Sequence, residues 1–307
     1  MKRLLTRTLA AMALIAPAVP TLADSAPAPT AQAAIAAPDK SGRIAVNGIN
    51  YYYEIRGKGE PLLLLHGGLG SGDMFAPLLP TLTKQRQVVL VDLQGHGRTE
   101  LGTRAFSLEA MGDDMNGLLQ KLGYPQIDVF GYSFGGGVGF RLAVQHPERV
   151  RRLVLVSAGY SSDGFYPEIK AQQGQVNADA LQYMKDTPMY KGYVAVAPKP
   201  EDFPRLLTAI GDFMRKSYDY SADVAKLKMP VMLVFGDGDM YQPEHVIKFY
   251  QMLGGGLKDA GWMRENLSQN RLAILPNHTH YDIFLAPELV STTLPFLSGE
   301  AKASAWQ

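Results

Sequence analysis

Short, almost uninterrupted apolar runs recur along this chain, separated by longer stretches in which apolar residues return every third or fourth position. Residues 61–65, 88–92, 127–130, 152–157, 230–235 and 271–275 are runs of the first kind. Such runs are expected of strands covered on both faces, as in a parallel sheet. Stretches of the second kind, at about 74–84, 108–122, 134–146, 244–253 and 287–297, predict helices. Upstream, residues 43–46 and 49–56 flank Asn47-Gly48, a pair suited to a two-residue hairpin turn with positive φ. Strands alternating with helices in this way predict an α/β fold: an open, mostly parallel sheet with helices on both faces. In such sheets reactive groups collect beyond the carboxyl ends of the strands.

The alternation lapses between about residues 160 and 228, a stretch rich in aromatic and methionine residues that includes Phe165, Met189, Phe213, Met214 and Tyr218. An inserted helical cap is expected there. Its large side chains either line an apolar, adaptable pocket or form the core of the insert itself. Residues 254–270, with Trp262, read as an insertion-like loop.

Composition adds a compartment. Lys2, Arg3 and Arg7 precede an apolar segment at 9–16 and small residues up to Ala23, the pattern of a signal peptide over residues 1–23. That segment is too short to span a bilayer, which takes about 20 residues. Residues 24–40, rich in Ala and Pro, read as a disordered leader, and residues 41–299 as one domain carrying the insertion at about 160–228. A periplasmic or secreted bacterial protein without a stable membrane anchor is expected. The absence of cysteine removes disulfides, thiol nucleophiles and cysteine metal sites. Taking away the three basic residues of the signal peptide turns a net charge of +1 into −2, so nothing attracts nucleic acid. Protein partners are not legible.

The candidate chemistry centres on Gly131-Tyr132-Ser133-Phe134-Gly135, placed between an apolar strand and a helix. This is the spacing of a nucleophile elbow, in which a strained turn holds the serine hydroxyl clear of the sheet. Phe134 would open the helix, its amide directed at an oxygen bound beside the serine. A serine hydroxyl needs a general base, and the base needs an acid to orient it. After the last two strands come Gly236-Asp237-Gly238-Asp239 and Pro276-Asn277-His278-Thr279-His280, so Asp237 or Asp239 and His278 or His280 are candidates. The run from His278 to Asp282 also mimics an H-x-H-x-D metal cluster but has no further obvious ligand beside it. No dinucleotide fingerprint or phosphate loop occurs, so no cofactor is implied.

Taken together, these segments resemble the alpha/beta-hydrolase fold from about residue 42 to 297, closest to its capped bacterial serine-esterase-like branch. His66-Gly67-Gly68 is similar to the family's oxyanion loop, and residues 92–99 to its D-x-x-G-x-G-x-[ST] loop. The resemblance implies Ser133 as nucleophile, His280 as base and Asp239 as acid, with the amides of Gly68 and Phe134 as oxyanion hole. Leu69 is an alternative donor should the loop be shifted. His66 and His96 then brace loops. The implied activity is hydrolysis of a small carboxylic ester with an apolar acyl or alcohol part. Proline iminopeptidase, carbon–carbon hydrolase and lactonase activities are alternatives on the same fold, and a ligand-binding pseudoenzyme is the alternative outside catalysis. Haloalkane dehalogenases and epoxide hydrolases use an aspartate at the elbow, which Ser133 argues against.

Overall fold

The computed structural model describes residues 37–299, so the expected signal peptide and nearly all of the expected leader lie outside the described residues. One sheet is built from β1 (Lys40–Val46), β2 (Ile49–Arg56), β3 (Glu60–Leu65), β4 (Arg86–Val91), β5 (Ile127–Tyr132), β6 (Val150–Val156), β7 (Val231–Gly238) and β8 (Arg271–Thr279). Their spatial order is β1-β2-β4-β3-β5-β6-β7-β8. β2 runs antiparallel to both of its neighbours, and β4, β3, β5, β6, β7 and β8 are mutually parallel. The hairpin turn has positive φ at Asn47 (49°) and Gly48 (84°), as its sequence asks. β1 starts at Lys40, three residues ahead of the hydrophobic pattern, because its outer positions face solvent and carry no apolar signal.

The continuous apolar runs are explained by a sheet buried on both sides. Leu63, Leu65, Val129, Leu153 and Leu233 face the helices Leu108–Leu122 and Phe134–Gln145, where Met111, Met115 and Leu142 meet them. Leu62, Leu64, Phe130, Val154 and Val234 face the other way, against Phe75, Leu79 and the final helix Pro287–Ser298 with Leu289 and Phe296. Successive residues of a strand point to opposite faces, so each run fills two cores at once. At the amino ends of the strands, the fully buried Asp128 carboxylate pairs with Arg86 at 2.9 Å and Arg151 at 2.8 Å, tying β4, β5 and β6 together. The helix Leu108–Leu122 begins at Ser107, whose hydroxyl accepts the Ala110 amide at 3.2 Å, and ends at Gly123 with φ 83°.

One expected helix is different. Residues 74–84 form a 3₁₀ turn, Gly72–Phe75, and a single helical turn, Leu79–Leu82. Pro77 and Pro80 lack amide protons and crowd the preceding carbonyls, which breaks a longer helix. Met74 lines the cavity described below.

Between β6 and β7 the chain forms the helices Pro167–Gln173, Leu181–Met184, Pro188–Val196, Phe203–Met214 and Ser221–Val224. The large side chains of this segment divide between the two roles open to them. Tyr193 and Phe203 are buried against one another, with ring centroids 5.1 Å apart. Phe165, Met189, Phe213, Met214 and Tyr218 line a cavity instead. Among the described residues no helix is long and apolar enough to cross a membrane.

Candidate active site

Ser133 follows directly on β5 and precedes the helix Phe134–Gln145, with φ 51° and ψ −118°. A non-glycine residue there costs about 1–3 kcal/mol and persists only where its surroundings fix it. Its amide donates to the Val156 carbonyl at 2.9 Å, and its own carbonyl accepts from the Gly137 amide at 3.0 Å. The flanking glycines are required by space. A Cβ on Gly131 would lie 2.5 Å from the Gly135 carbonyl oxygen, and one on Gly135 would collide with the carbonyl oxygen of Leu65. Strand and helix can cross this closely only without side chains at those two positions.

Parallel register carries the other groups to the same edge. Tyr132 pairs with Val156, so Ser133 and Ser157 are the next residues on neighbouring strands. Gly238 pairs with Thr279, so Asp239 and His280 emerge side by side. A bulge decides which histidine arrives. Gly236 pairs with Leu275 and Gly238 with Thr279, so two steps along β7 match four along β8. Asn277 takes φ 63° within it, and the His278 carbonyl packs so closely on Gly236 that a Cβ there would collide. Without those two extra residues, His278 would stand beside Asp239.

The result is a continuous hydrogen-bond line. Ser133 Oγ lies 2.9 Å from His280 Nε2, and His280 Nδ1 lies 3.2 Å from Asp239 Oδ1. A carboxylate can only accept, so Nδ1 carries the proton and Nε2 presents its lone pair to the serine hydroxyl. The Tyr132 hydroxyl donates to the His280 carbonyl and fixes the backbone that carries the ring. The alternatives lie elsewhere: Asp237 is exposed, and His278 faces Asp282 and Glu288 at 3.9 Å each.

Sequence reasoning missed Ser157. It is fully buried, has φ 50°, and donates its hydroxyl to Asp239 Oδ2, while the Tyr241 amide reaches Oδ1 at 3.4 Å. Asp239 is 8% exposed, and a carboxylate so enclosed needs donors on both oxygens. The only sequence signal is position: the first residue past β6, level with Ser133.

Phe134 opens its helix, so its amide has no carbonyl one turn back. Gly68 lines the same cavity, in a turn closed by the Gly70 amide on the Gly67 carbonyl at 3.2 Å, with Leu69 at φ 59°. Among the described residues neither the Gly68 nor the Phe134 amide donates to a protein group, which leaves both free for a bound oxygen. The loops behind are braced by buried polar groups. His66 Nε2 accepts the Leu93 amide at 3.0 Å while Nδ1 donates to the Gly67 carbonyl at 2.8 Å. His96 donates to the Gln94 carbonyl at 2.8 Å, and its Nε2, buried beside Phe106 and Phe134, has no partner among the described residues. Asp92 accepts the amides of Gly72 at 2.7 Å and Arg98 at 2.8 Å, and burial raises its pKa. Burial lowers His66 to about 4 and His96 to about 3, so both are neutral.

Ser133, Phe134, Gly68 and His280 open into a cavity of 390 Å³, a size for small molecules. Its walls are mostly apolar and include Phe165, Phe213, Met189 and Met240. Charge that develops at Ser133 is therefore poorly screened by water, and the few dipoles present act strongly on it.

Two expectations follow from these contacts. Ser157→Ala and Ser157→Gly both remove the hydroxyl from Asp239, but only glycine relieves the positive φ. The kcat is expected to fall on the order of tenfold in both variants, although the glycine variant melts higher than the alanine one; full activity in Ser157→Gly would assign the residue to backbone shape alone. The second concerns pH. His66 and His96 titrate below the ordinary value in the folded chain, so below about pH 6.5 the unfolded chain takes up protons that the folded chain refuses. Their contribution is complete above that pH and is lost on acidification towards 4. Urea unfolding between pH 7 and 5 should show stability falling by up to about 1.4 kcal/mol per pH unit for each histidine, and a flat profile would contradict this.

Comparison with known proteins agrees with this architecture. A family model described as alpha/beta hydrolase fold matches residues 60–187. RutD of Azorhizobium caulinodans, a proposed carbamate hydrolase, is 28% identical over 228 residues, covering 68% of this chain and 83% of that protein. The 2-hydroxymuconate semialdehyde hydrolase of Pseudomonas sp. strain CF600 is 38% identical over 129 residues, covering 40% of this chain and 46% of that one. Among solved structures, the enol-lactonase of Burkholderia xenovorans LB400 superposes with a TM-score of 0.63 at 21% identity, over 84% of this chain and 100% of that one. The eight-stranded sheet of this order, the elbow after β5 and these likenesses show that the chain has the alpha/beta-hydrolase fold, with residues 60–187 matching the family model.

Proposed function

We propose that the protein is a secreted serine hydrolase that cleaves a carboxylic ester through Ser133, His280 and Asp239. The observation that carries this reading is the unbroken line from Ser133 Oγ to His280 to Asp239, opening on an apolar cavity beside two unused backbone amides. Secretion rests on the N-terminal pattern of basic, apolar and small residues.

In this reading His280 Nε2 accepts the hydroxyl proton as Ser133 Oγ attacks the acyl carbon. The imidazolium that forms is stabilised by the Asp239 carboxylate, whose second oxygen is held by Ser157. The carbonyl oxygen becomes negative and is met by the amides of Phe134 and Gly68; loss of one such donor typically costs about 10²–10³ in rate. His280 then returns the proton to the leaving alcohol. Water, deprotonated by the same nitrogen, releases the acid and restores the serine.

A second reading is favoured by one specific likeness. The relative named as a 2-hydroxymuconate semialdehyde hydrolase is 38% identical over 129 residues, which supports carbon–carbon bond hydrolysis of an acyl compound by the same groups. Release of an alcohol or of a carbon acid separates the two.

Turnover of 4-nitrophenyl butyrate tests the first reading. Ser133→Ala is expected to lower it by at least about a thousandfold, and Asp239→Asn to lower it by a comparable factor, whereas Asp237→Asn stays within about threefold of wild type, as expected for an exposed residue. Retained turnover in Ser133→Ala would end the serine mechanism.

A further inference from the structure

Among the described residues that line the cavity, Lys216 alone carries a Lys, Arg, Asp or Glu side chain. Its position follows from the local backbone. The helix Phe203–Met214 ends just before it, with the Lys216 amide on the Phe213 carbonyl at 3.1 Å. Beyond it Asp219 forms an isolated antiparallel bridge with Ser161, and Lys216, Tyr218 and Tyr220 line the cavity while Ser217 and Asp219 are absent from its walls. This strap is fixed. The Ser162 amide donates to the Tyr218 carbonyl at 3.0 Å, the Tyr218 amide to Ser162 Oγ at 3.2 Å, and the Tyr220 amide to the Tyr160 carbonyl at 2.8 Å.

The ammonium group has no partner: among the described residues Lys216 makes no ion pair and no side-chain hydrogen bond. Among the described residues no Asp or Glu side chain lines the cavity to neutralise it. Lys216 is exposed, so its charge keeps its hydration and costs little to hold there. An uncompensated cation at the edge of a low-dielectric cavity favours anionic ligands over neutral or cationic ones of equal shape. The apolar walls suit a hydrocarbon segment joining that anion to a reacting carbonyl at Ser133.

We propose that Lys216 selects substrates carrying a free carboxylate, so that the compound cleaved at Ser133 is an acidic one, such as a hemi-ester of a dicarboxylic acid. The proposal rests on the serine-hydrolase reading for its chemistry, and it specifies the substrate class. The step itself is ester hydrolysis with water as co-reactant; the distal carboxylate is unchanged and only binds.

The test uses matched pairs: 4-nitrophenyl hydrogen succinate, glutarate and adipate, each against its methyl ester, in which the distal charge is removed and the aryl ester kept. The readout is the ratio of kcat/KM for acid over methyl ester, from 4-nitrophenol release. Wild type should prefer the acid by up to about fivefold at low salt for at least one chain length, since an exposed ion pair is worth up to about 1 kcal/mol, or fivefold. Lys216→Gln should abolish that preference, Lys216→Glu should reverse it, and Lys216→Arg should keep it. The preference should shrink as salt rises to roughly 0.5 M. A ratio that is the same in wild type, Lys216→Gln and Lys216→Glu would overturn the proposal. Calorimetric titration of Ser133→Ala and of the Ser133→Ala, Lys216→Glu double variant with the same pairs reads binding without turnover. Tighter binding of the acid, lost in the double variant, supports the Lys216 proposal even if wild type hydrolyses neither ester, an outcome that would end the hydrolase reading alone. Equal affinity for acid and methyl ester would overturn the Lys216 proposal even if ester turnover depends on Ser133.

Discussion

Parallel strand register is the constraint on which this molecule depends. Residues as far apart in sequence as Gly68, Ser133, Ser157, Asp239 and His280 meet because β3, β5, β6, β7 and β8 end along one edge of the sheet. Each stands at or just past the end of its strand, so the hydrogen-bond ladder that makes the sheet also sets the spacing of the site. Deviations from the regular ladder are where the site becomes specific. The positive φ of Ser133 lifts its hydroxyl off β5, and the bulge around Asn277 delivers His280 in place of His278. Both depend on glycines, at 131, 135 and 236, that let backbone pass against backbone.

The surroundings give these groups their force. Asp239 and His280 are nearly sealed from solvent, and an enclosed carboxylate is tolerable only because Ser157, Tyr241 and His280 supply its donors. The same apolar enclosure that makes the carboxylate costly strengthens its effect on the imidazole. In the proposed reaction the one mobile proton moves across the 2.9 Å between Ser133 Oγ and His280 Nε2. Lys216, at the exposed edge of the cavity, adds charge selection without adding a buried ion to this network.

The sheet was legible in the sequence because strands covered on both faces leave continuous apolar runs. Ser133 and Phe134 were legible because the elbow needs glycines at fixed spacing. Other features left weaker traces. A helical pattern over 74–84 overlooked Pro77 and Pro80, whose backbone effect outweighs apolar spacing. Choosing between His278 and His280 requires a two-residue bulge to be counted, and only Gly236 and Asn277 hint at it. Ser157 carries no motif; its contact with Asp239 depends on the pairing of β5, β6 and β7, which no local pattern reveals. In the segment between β6 and β7, the same residue types serve as core at Phe203 and as cavity wall at Phe213, and only the packing separates them.

Activation of Ser133 by His280 can be read directly by active-site labelling, which needs no known substrate. The purified protein would be treated with a fluorophosphonate, weighed intact, and mapped by peptide mass. The expected result is a single adduct on Ser133 that is lost in His280→Ala and retained in His278→Ala. An adduct on another residue, or labelling of Ser133 that persists without His280, would contradict it.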